Sequence, residues 1–350
     1  MNYGFVEAGV IAMAAALIAG EAIERPREDV LAAFSPARRA EIEAGSAVVV
    51  TDKAVGFDVG IIGAVKTTAD TRRLVAWFRE VEQLERGRYI PVIQRFSSPP
   101  RIEDLAALEL DEDDLEELRD CRPGHCDLKL SAAEMARIRE AMRGAGYGWQ
   151  RAAQDAFRCM LLERARVYLS EGLAGAPPYD DKKTPLMLLS EFEQLLTAWR
   201  VEGLRIAPVA EYLKQYPRER NDRIESLLFW SKDALGDMKP IVGITHVAIA
   251  HGADSQEPTI IASTQVYASH YVTASLSITA VTDTPDGATR YLFYARRSNG
   301  DLFDGPFGGL VRRIVQRRVR AEGPGVLEAL RQRIEAGPPR PLFTEPAPLR

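Results

Sequence analysis

Residues 259–282 read TIIASTQVYASHYVTASLSITAVT, and this run decides the fold. β-Branched residues and serines dominate it, and no Asp, Glu, Lys or Arg interrupts it. Such a composition suits pleated, half-buried strands. A strand usually has about 5 or 6 residues, so a turn or bulge belongs near Ser269-His270-Tyr271. In strand geometry the even positions Ile260, Ala262, Thr264, Val266, Ala268, His270, Val272, Ala274, Leu276, Ile278 and Ala280 share one face, and Gln265, Tyr267 and Tyr271 lie on the other. Several even positions are alanine. A close-packed core prefers larger side chains, so this face is expected to leave room beneath a covering helix. A one-residue bulge would exchange the two faces beyond it.

Outward from this run the chain falls into zones. Pro240–Ala250 and Arg290–Arg296 read as further strands. Gly305-Pro306-Phe307-Gly308-Gly309 then turns into a helix carrying Leu310, Val311, Ile314, Val315 and Val319, with Gly323-Pro324-Gly325 kinking or ending it, because an interior proline removes a hydrogen bond. Upstream, residues 47–51 and 55–65 read as strands. Thr67, Thr68 and Asp70 offer helix caps, and Leu74, Trp77, Phe78, Val81 and Leu84 recur at helical spacing. YIPVIQRF, residues 89–96, is one more strand, ended by Pro99-Pro100. Residues 101–236 read as helical. They open with ten carboxylates in 103–120, expected on a solvated face, and continue with core stripes through Phe157, Met160 and Tyr168, then Leu188, Phe192 and Trp199. Cys159 reads as a small core residue, and Trp230 as core rather than a ligand contact. Residues 337–350 form a loose, Pro-rich tail.

The 350-residue chain is 46% hydrophobic and 27% charged, with formal net charge -5. That composition excludes a collagen-like, wholly disordered or polytopic membrane protein, and the negative charge argues against a generic nucleic-acid binder. Residues 8–19, AGVIAMAAALIA, are too short to span a bilayer, which needs ~20 apolar residues, but have the length of a signal-peptide core. Gly20-Glu21-Ala22 fits a small-x-small cleavage site, so residues 1–22 read as an export signal and the protein as periplasmic. Met1–Gly9 lacks the usual positive charge, and a cytoplasmic protein with a buried helix here is the alternative. In CRPGHC, Pro123-Gly124 permits a turn that would bring Cys121 and Cys126 together as a disulfide after export. Free buried thiols are the other reading. A metal lacks a second Cys/His pair to complete its ligands.

Two stretches carry a family likeness: residues 55–84, VGFDVGIIGAVKTTADTRRLVAWFREVEQL, and residues 241–320, whose strands close into FGGLVRRIVQRRVR. Together they resemble the START-like superfamily, also called SRPBCC, with the helix-grip or Bet v 1-like fold. The resemblance covers residues 46–100 and 239–336 and leaves 101–236 as a helical insertion. It implies an α+β domain whose curved antiparallel sheet grips a long C-terminal helix over an apolar cavity. It also implies binding of a hydrophobic, lipid-like molecule, with enzymes such as cyclases in the minority.

His270 is the most interesting ionisable group, as a ligand-orienting or acid–base residue near neutral pH or simply as a hydrogen-bonded sheet residue. His246 shares the even register of its own strand. Tyr267, Tyr271 and Gln265 could fix a ligand at the cavity mouth. No nucleophile elbow, zinc-protease motif, Walker A loop or dinucleotide fingerprint occurs, and no cofactor or metal is expected. Binding therefore leads over a cyclase- or hydrolase-type enzyme using His270, and over an interaction module with a filled cavity. Arg312, Arg313, Arg317 and Arg318 could meet an anionic membrane surface, or form a solvated helix face.

Overall fold

The computed structural model describes residues 29–51, 58–199, 204, 206–218, 221–234, 238–252, 257–284, 286–301 and 308–339. The expected export signal, the turn at residues 305–307 and the tail beyond residue 339 lie outside the described residues. Chain order is α1 (Pro36–Glu43), β1 (Val48–Thr51), β2 (Asp58–Lys66), α2 (Thr71–Arg79), α3 (Val81–Glu85) and β3 (Val92–Arg95). Five helices follow: α4 (Glu112–Asp120), α5 (Ala132–Ala145), α6 (Trp149–Glu171), α7 (Leu188–Ala198) and α8 (Ala207–Gln215). Then come β4 (Ile224–Asp233), β5 (Ile241–Ala250), β6 (Ile260–Ala268), β7 (Ala274–Asp283), β8 (Arg290–Asn299) and α9 (Gly308–Glu335).

The strands form one antiparallel sheet in the order β1-β2-β8-β7-β6-β5-β4-β3. It is curved and unclosed, so the chain is α+β with a long C-terminal helix and a helical insertion, compatible with a helix-grip fold. Local chemistry sets the helix starts. The Asp70 carboxylate accepts the Arg73 N–H at 2.9 Å to cap α2. Ser131 and Glu134 form a reciprocal capping box on α5. Gly172 ends α6 at a φ of +68°, where a Cβ would sit 1.8 Å from the Tyr216 carbonyl oxygen.

Both faces of the sheet are covered, and this reverses the expected orientation. The even positions Ile260, Ala262, Leu276, Ile278 and Ala280 pack with Phe157, Leu161, Phe192, Leu195 and Leu213 of the middle helices. The odd positions Ile261 and Val281 pack with Leu74 and Phe78 of α2 and Leu327 and Ile334 of α9. The alanines thus make room for helices α5–α8, not for the C-terminal helix. β6 does end before a turn at residues 269–273, as its length requires. The bulge falls earlier, at Val266, since Ile244 pairs with Tyr267 while Thr245 pairs with Gln265. Tyr267 thereby moves to the face of the even residues.

Other expectations need correction. Residues 224–233 are strand β4 rather than helix. They hydrogen-bond to β3 and β5 and are covered on both faces, so the run LLFW shows no polar alternation. The helix after Asp70 breaks at Glu80 into α2 and α3. Cys159 is exposed. Two carboxylates of the acidic run are buried: Asp104, which accepts from Ser97 and Arg101, and Asp114. Pro324 neither stops nor restarts α9, which continues helical through it. The cost is local, because the Arg320 carbonyl loses its helical N–H donor.

Candidate functional site

The residues expected to line one cavity are scattered. His246, on β5, points into the layer of α6 and α8. Its Nδ1 lies 2.7 Å from the Tyr168 hydroxyl and its Nε2 3.0 Å from Ser226 Oγ. The Tyr216 ring centroid is 4.6 Å away. Burial pushes its pKa down to about 3, so the ring is neutral at neutral pH, with one nitrogen donating and the other accepting. Tyr267 is also enclosed on this side, under the Arg164 guanidinium at 4.7 Å and edge-on to Tyr179. Its hydroxyl is buried and has no partner among the described residues.

His270 and Tyr271 sit in the β6–β7 turn. His270 is buried, with Nε2 3.0 Å from Asp114 Oδ1 and Nδ1 3.1 Å from the Asp127 carbonyl. Each ring nitrogen thus meets an oxygen that can accept a hydrogen bond. This is a clasp between the turn and α4. Tyr271 has a positive φ of 60°, and its hydroxyl accepts the Lys239 N–H at 3.2 Å. Cys121 and Cys126 are joined as a disulfide, Cα to Cα 4.6 Å. The Glu117 carboxylate beside them accepts the Asp127 N–H at 2.9 Å. With the two sulfurs bonded to each other, no thiolate pair faces Glu117.

Gln265 alone of these five lies on the α9 side, where a different site emerges. At one end of that face Leu227, Val247, Ile249, Ile261, Val281 and Leu292 make a filled core with α2 and the last turns of α9. Toward the other end the face turns polar: Thr245, Ser263, Gln265, Ser277 and Ser298 are half-buried, and Ser231 and Ser275 are buried. No residue of α9 from Gly309 to Val326 is buried, and Val311, Val315 and Val319 form a half-buried inward stripe. Gly323 anchors the helix on β1, with so little space that a Cβ would lie 3.0 Å from Val49 Cγ1. Arg312, eleven residues earlier, falls on nearly the same helical face, and its Nε is buried.

Charges converge on this polar hollow. Asp233 ends β4, and its Oδ1 is buried with no partner among the described residues. Burial raises its pKa, opposed by Ser231 and by the charge of Arg296. Glu85 ends α3; burial raises its carboxyl as well, and the Asp233 charge adds to the rise against Arg333 and Arg296. Tyr294, beside Arg296 on β8, is raised by burial and held down by the guanidinium. Arg296 Nε donates to Ser275 Oγ and Ser298 Oγ, each at 3.1 Å. In a flat sheet β8 and β4 would stand ~19 Å apart across four strand spacings. The mutual influence of Arg296 and Asp233 therefore requires the curl that turns these strands toward each other. Two carboxyls poised toward their neutral forms, one guanidinium and one phenol can bind a polar head group or exchange a proton with it.

Sequence reading missed Glu85, Asp233, Tyr294 and Arg296. Arg296 was accessible in principle, since RYLFYARR alternates and puts Arg296 on the face opposite Arg297. Nothing local to Glu85 or Asp233 signals their meeting. An open cleft of about 450 Å³ also lies beside α9, between Arg38, Glu41, β1, Arg320 and Pro324. Among the described residues no helix is long and apolar enough to cross a membrane. No family model matches the chain, and neither a curated protein nor a solved structure matches it.

Proposed function

We propose that the protein binds an amphiphilic, lipid-like small molecule between the polar end of the sheet and the first two-thirds of α9. What supports this reading is a patch of half-buried polar residues at mid-strand, on the sheet face that α9 shares, together with a helix that has no buried residue from Gly309 to Val326. Apolar parts of the ligand would lie along Val315 and Val319, and its polar group would reach Arg296 and Asp233 Oδ1. Apolar burial supplies affinity at ~25 cal/mol per Å², and the few polar groups set orientation. Native mass spectrometry of the full chain, followed by titration with a fluorescent fatty acid, tests the idea. Ser263→Trp and Ser277→Trp should fill the space and abolish binding while leaving the melting temperature within a few degrees. Absence of both a retained ligand and any titratable affinity refutes it.

A second reading has its own support, in the raised pKa values of Glu85 and Asp233. In a cyclase- or hydrolase-type enzyme these carboxyls, rather than the clasped His270, would carry the proton. Glu85→Gln and Asp233→Asn would then abolish turnover of a bound ligand. Retained turnover in both variants removes that reading.

A further inference from the structure

The outward side of α9 differs from its inward side. Leu310 and Ile314 stand one turn apart and are 55% and 58% exposed, among the few large apolar side chains left open to solvent. Arg313, Arg317 and Arg320 are exposed around them, and none has an ion-pair partner among the described residues. The other two arginines of the segment are engaged: Arg318 pairs with Glu322 at 3.1 Å, and Arg312 belongs to the inward face. At 100° per residue, Leu310, Ile314, Arg317 and Ala321 fall within a narrow sector, with Arg313 and Arg320 on one flank.

We infer that this face of α9 docks on an anionic lipid surface, with Leu310 and Ile314 entering the acyl boundary and Arg313, Arg317 and Arg320 meeting head-group phosphates. Charge complementarity selects this occupant. Arginines without an ion-pair partner among the described residues, on a protein of net charge -5, form a local basic patch that overall composition does not require. A basic helix face with a small apolar centre suits the interface between head groups and chains. The inference stands whether or not the hollow beneath the helix holds a ligand.

The test is co-sedimentation of the full chain with vesicles of phosphatidylcholine alone or with phosphatidylserine, at low and high salt. The expected result is preference for the anionic vesicles, weakened by salt. Arg313→Gln/Arg317→Gln/Arg320→Gln should lower the partition coefficient on the order of a hundredfold, from the attraction expected of three basic residues near such a surface. Leu310→Ser/Ile314→Ser should lower it even where salt has little effect. All five positions are exposed, so the variants should keep the parent's circular dichroism and melting temperature. Each comparison keeps residues 8–19, so any membrane affinity of that apolar run cancels in the difference. Equal partition into neutral and anionic vesicles, or unchanged partition of the triple arginine variant, overturns the inference. Capture of an acidic protein by the same face without vesicle binding overturns it too.

Discussion

His246 offers the most quantitative test of how the sheet and the middle helices hold together. Its imidazole is enclosed by Tyr168, Tyr212 and Tyr216 and hydrogen-bonded at each nitrogen. Burial holds its pKa at about 3 against an ordinary 6.5. The folded state thus resists a proton that the unfolded chain accepts freely. For a histidine depressed in this sense, the stabilisation is complete above pH 6.5 and is lost as pH falls toward 3. Below 6.5 each pH unit removes ~1.4 kcal/mol, which amounts to ~2.7 kcal/mol at about pH 4.5 and approaches ~5 kcal/mol near the folded pKa. Urea denaturation of the wild type and of His246→Gln, in steps from about pH 7.5 to 4.5, isolates the contribution. The carboxylates titrate alike in both proteins, so they cancel in the difference. The variant should be less stable at neutral pH and should lose less on acidification, so that the gap narrows by ~2–3 kcal/mol across the series. Parallel curves would refute the argument, because they would mean that the site admits water or a counter-charge.

Three other outcomes follow from groups already described. Glu134→Ala should cost ~3–5 kcal/mol by stranding the buried Arg164 guanidinium, which now makes two hydrogen bonds of 2.6 and 2.8 Å to that carboxylate. The Glu134→Leu/Arg164→Met pair should cost less than the single change, as thermal or chemical melts would show. Asp233→Asn should raise stability at neutral pH by ~1–3 kcal/mol, because it removes a carboxylate whose burial is only partly offset by the Ser231 hydrogen bond and the Arg296 charge. The folded pKa is raised, so the contribution of Asp233 is most favourable in acid and declines as pH climbs through that pKa; the variant should lack this component. With an unfolding entropy of ~2.1 cal/mol/K per residue, the gain is ~1–4 °C by calorimetry. Reduction of the Cys121–Cys126 bond, or Cys121→Ser/Cys126→Ser, should cost ~2 kcal/mol from the short closed loop, measurable as a fall in denaturation midpoint.

Much of the fold was legible, and the failures share one cause. The amphipathic helices announced themselves: the stripes through Leu74 and Phe78 and through Phe157 and Tyr168 are buried as spaced. The strands β5, β6 and β7 also follow from their β-branched runs, and β8 from its aromatic one. What a single strand cannot convey is which layer lies on each side of it. The Ala-rich even face of β6 and β7 suited a hollow beneath the last helix, yet α7 and α8 fill it. β4 escaped notice because burial on both faces erased its alternation. The candidate site was illegible for a related reason. Glu85, Asp233 and Arg296 come from three elements, and only the curl of the sheet brings their charges together.

The strand order has a consequence for biosynthesis. β2 finds its second partner in β8, with Ile61 opposite Arg296, and the Glu335 carboxylate of the last helix accepts from the Thr67 hydroxyl and the Thr68 N–H. A ribosome adding ~5–20 residues per second needs roughly 10–50 s to travel from one strand to the other. Throughout that interval one border of the nascent β1–β2 hairpin has nothing to pair with, a template for wrong partners. The chain cannot settle piecemeal from its beginning. Synthesis must nearly finish before the sheet can close, which makes early chaperone capture a condition of good yield.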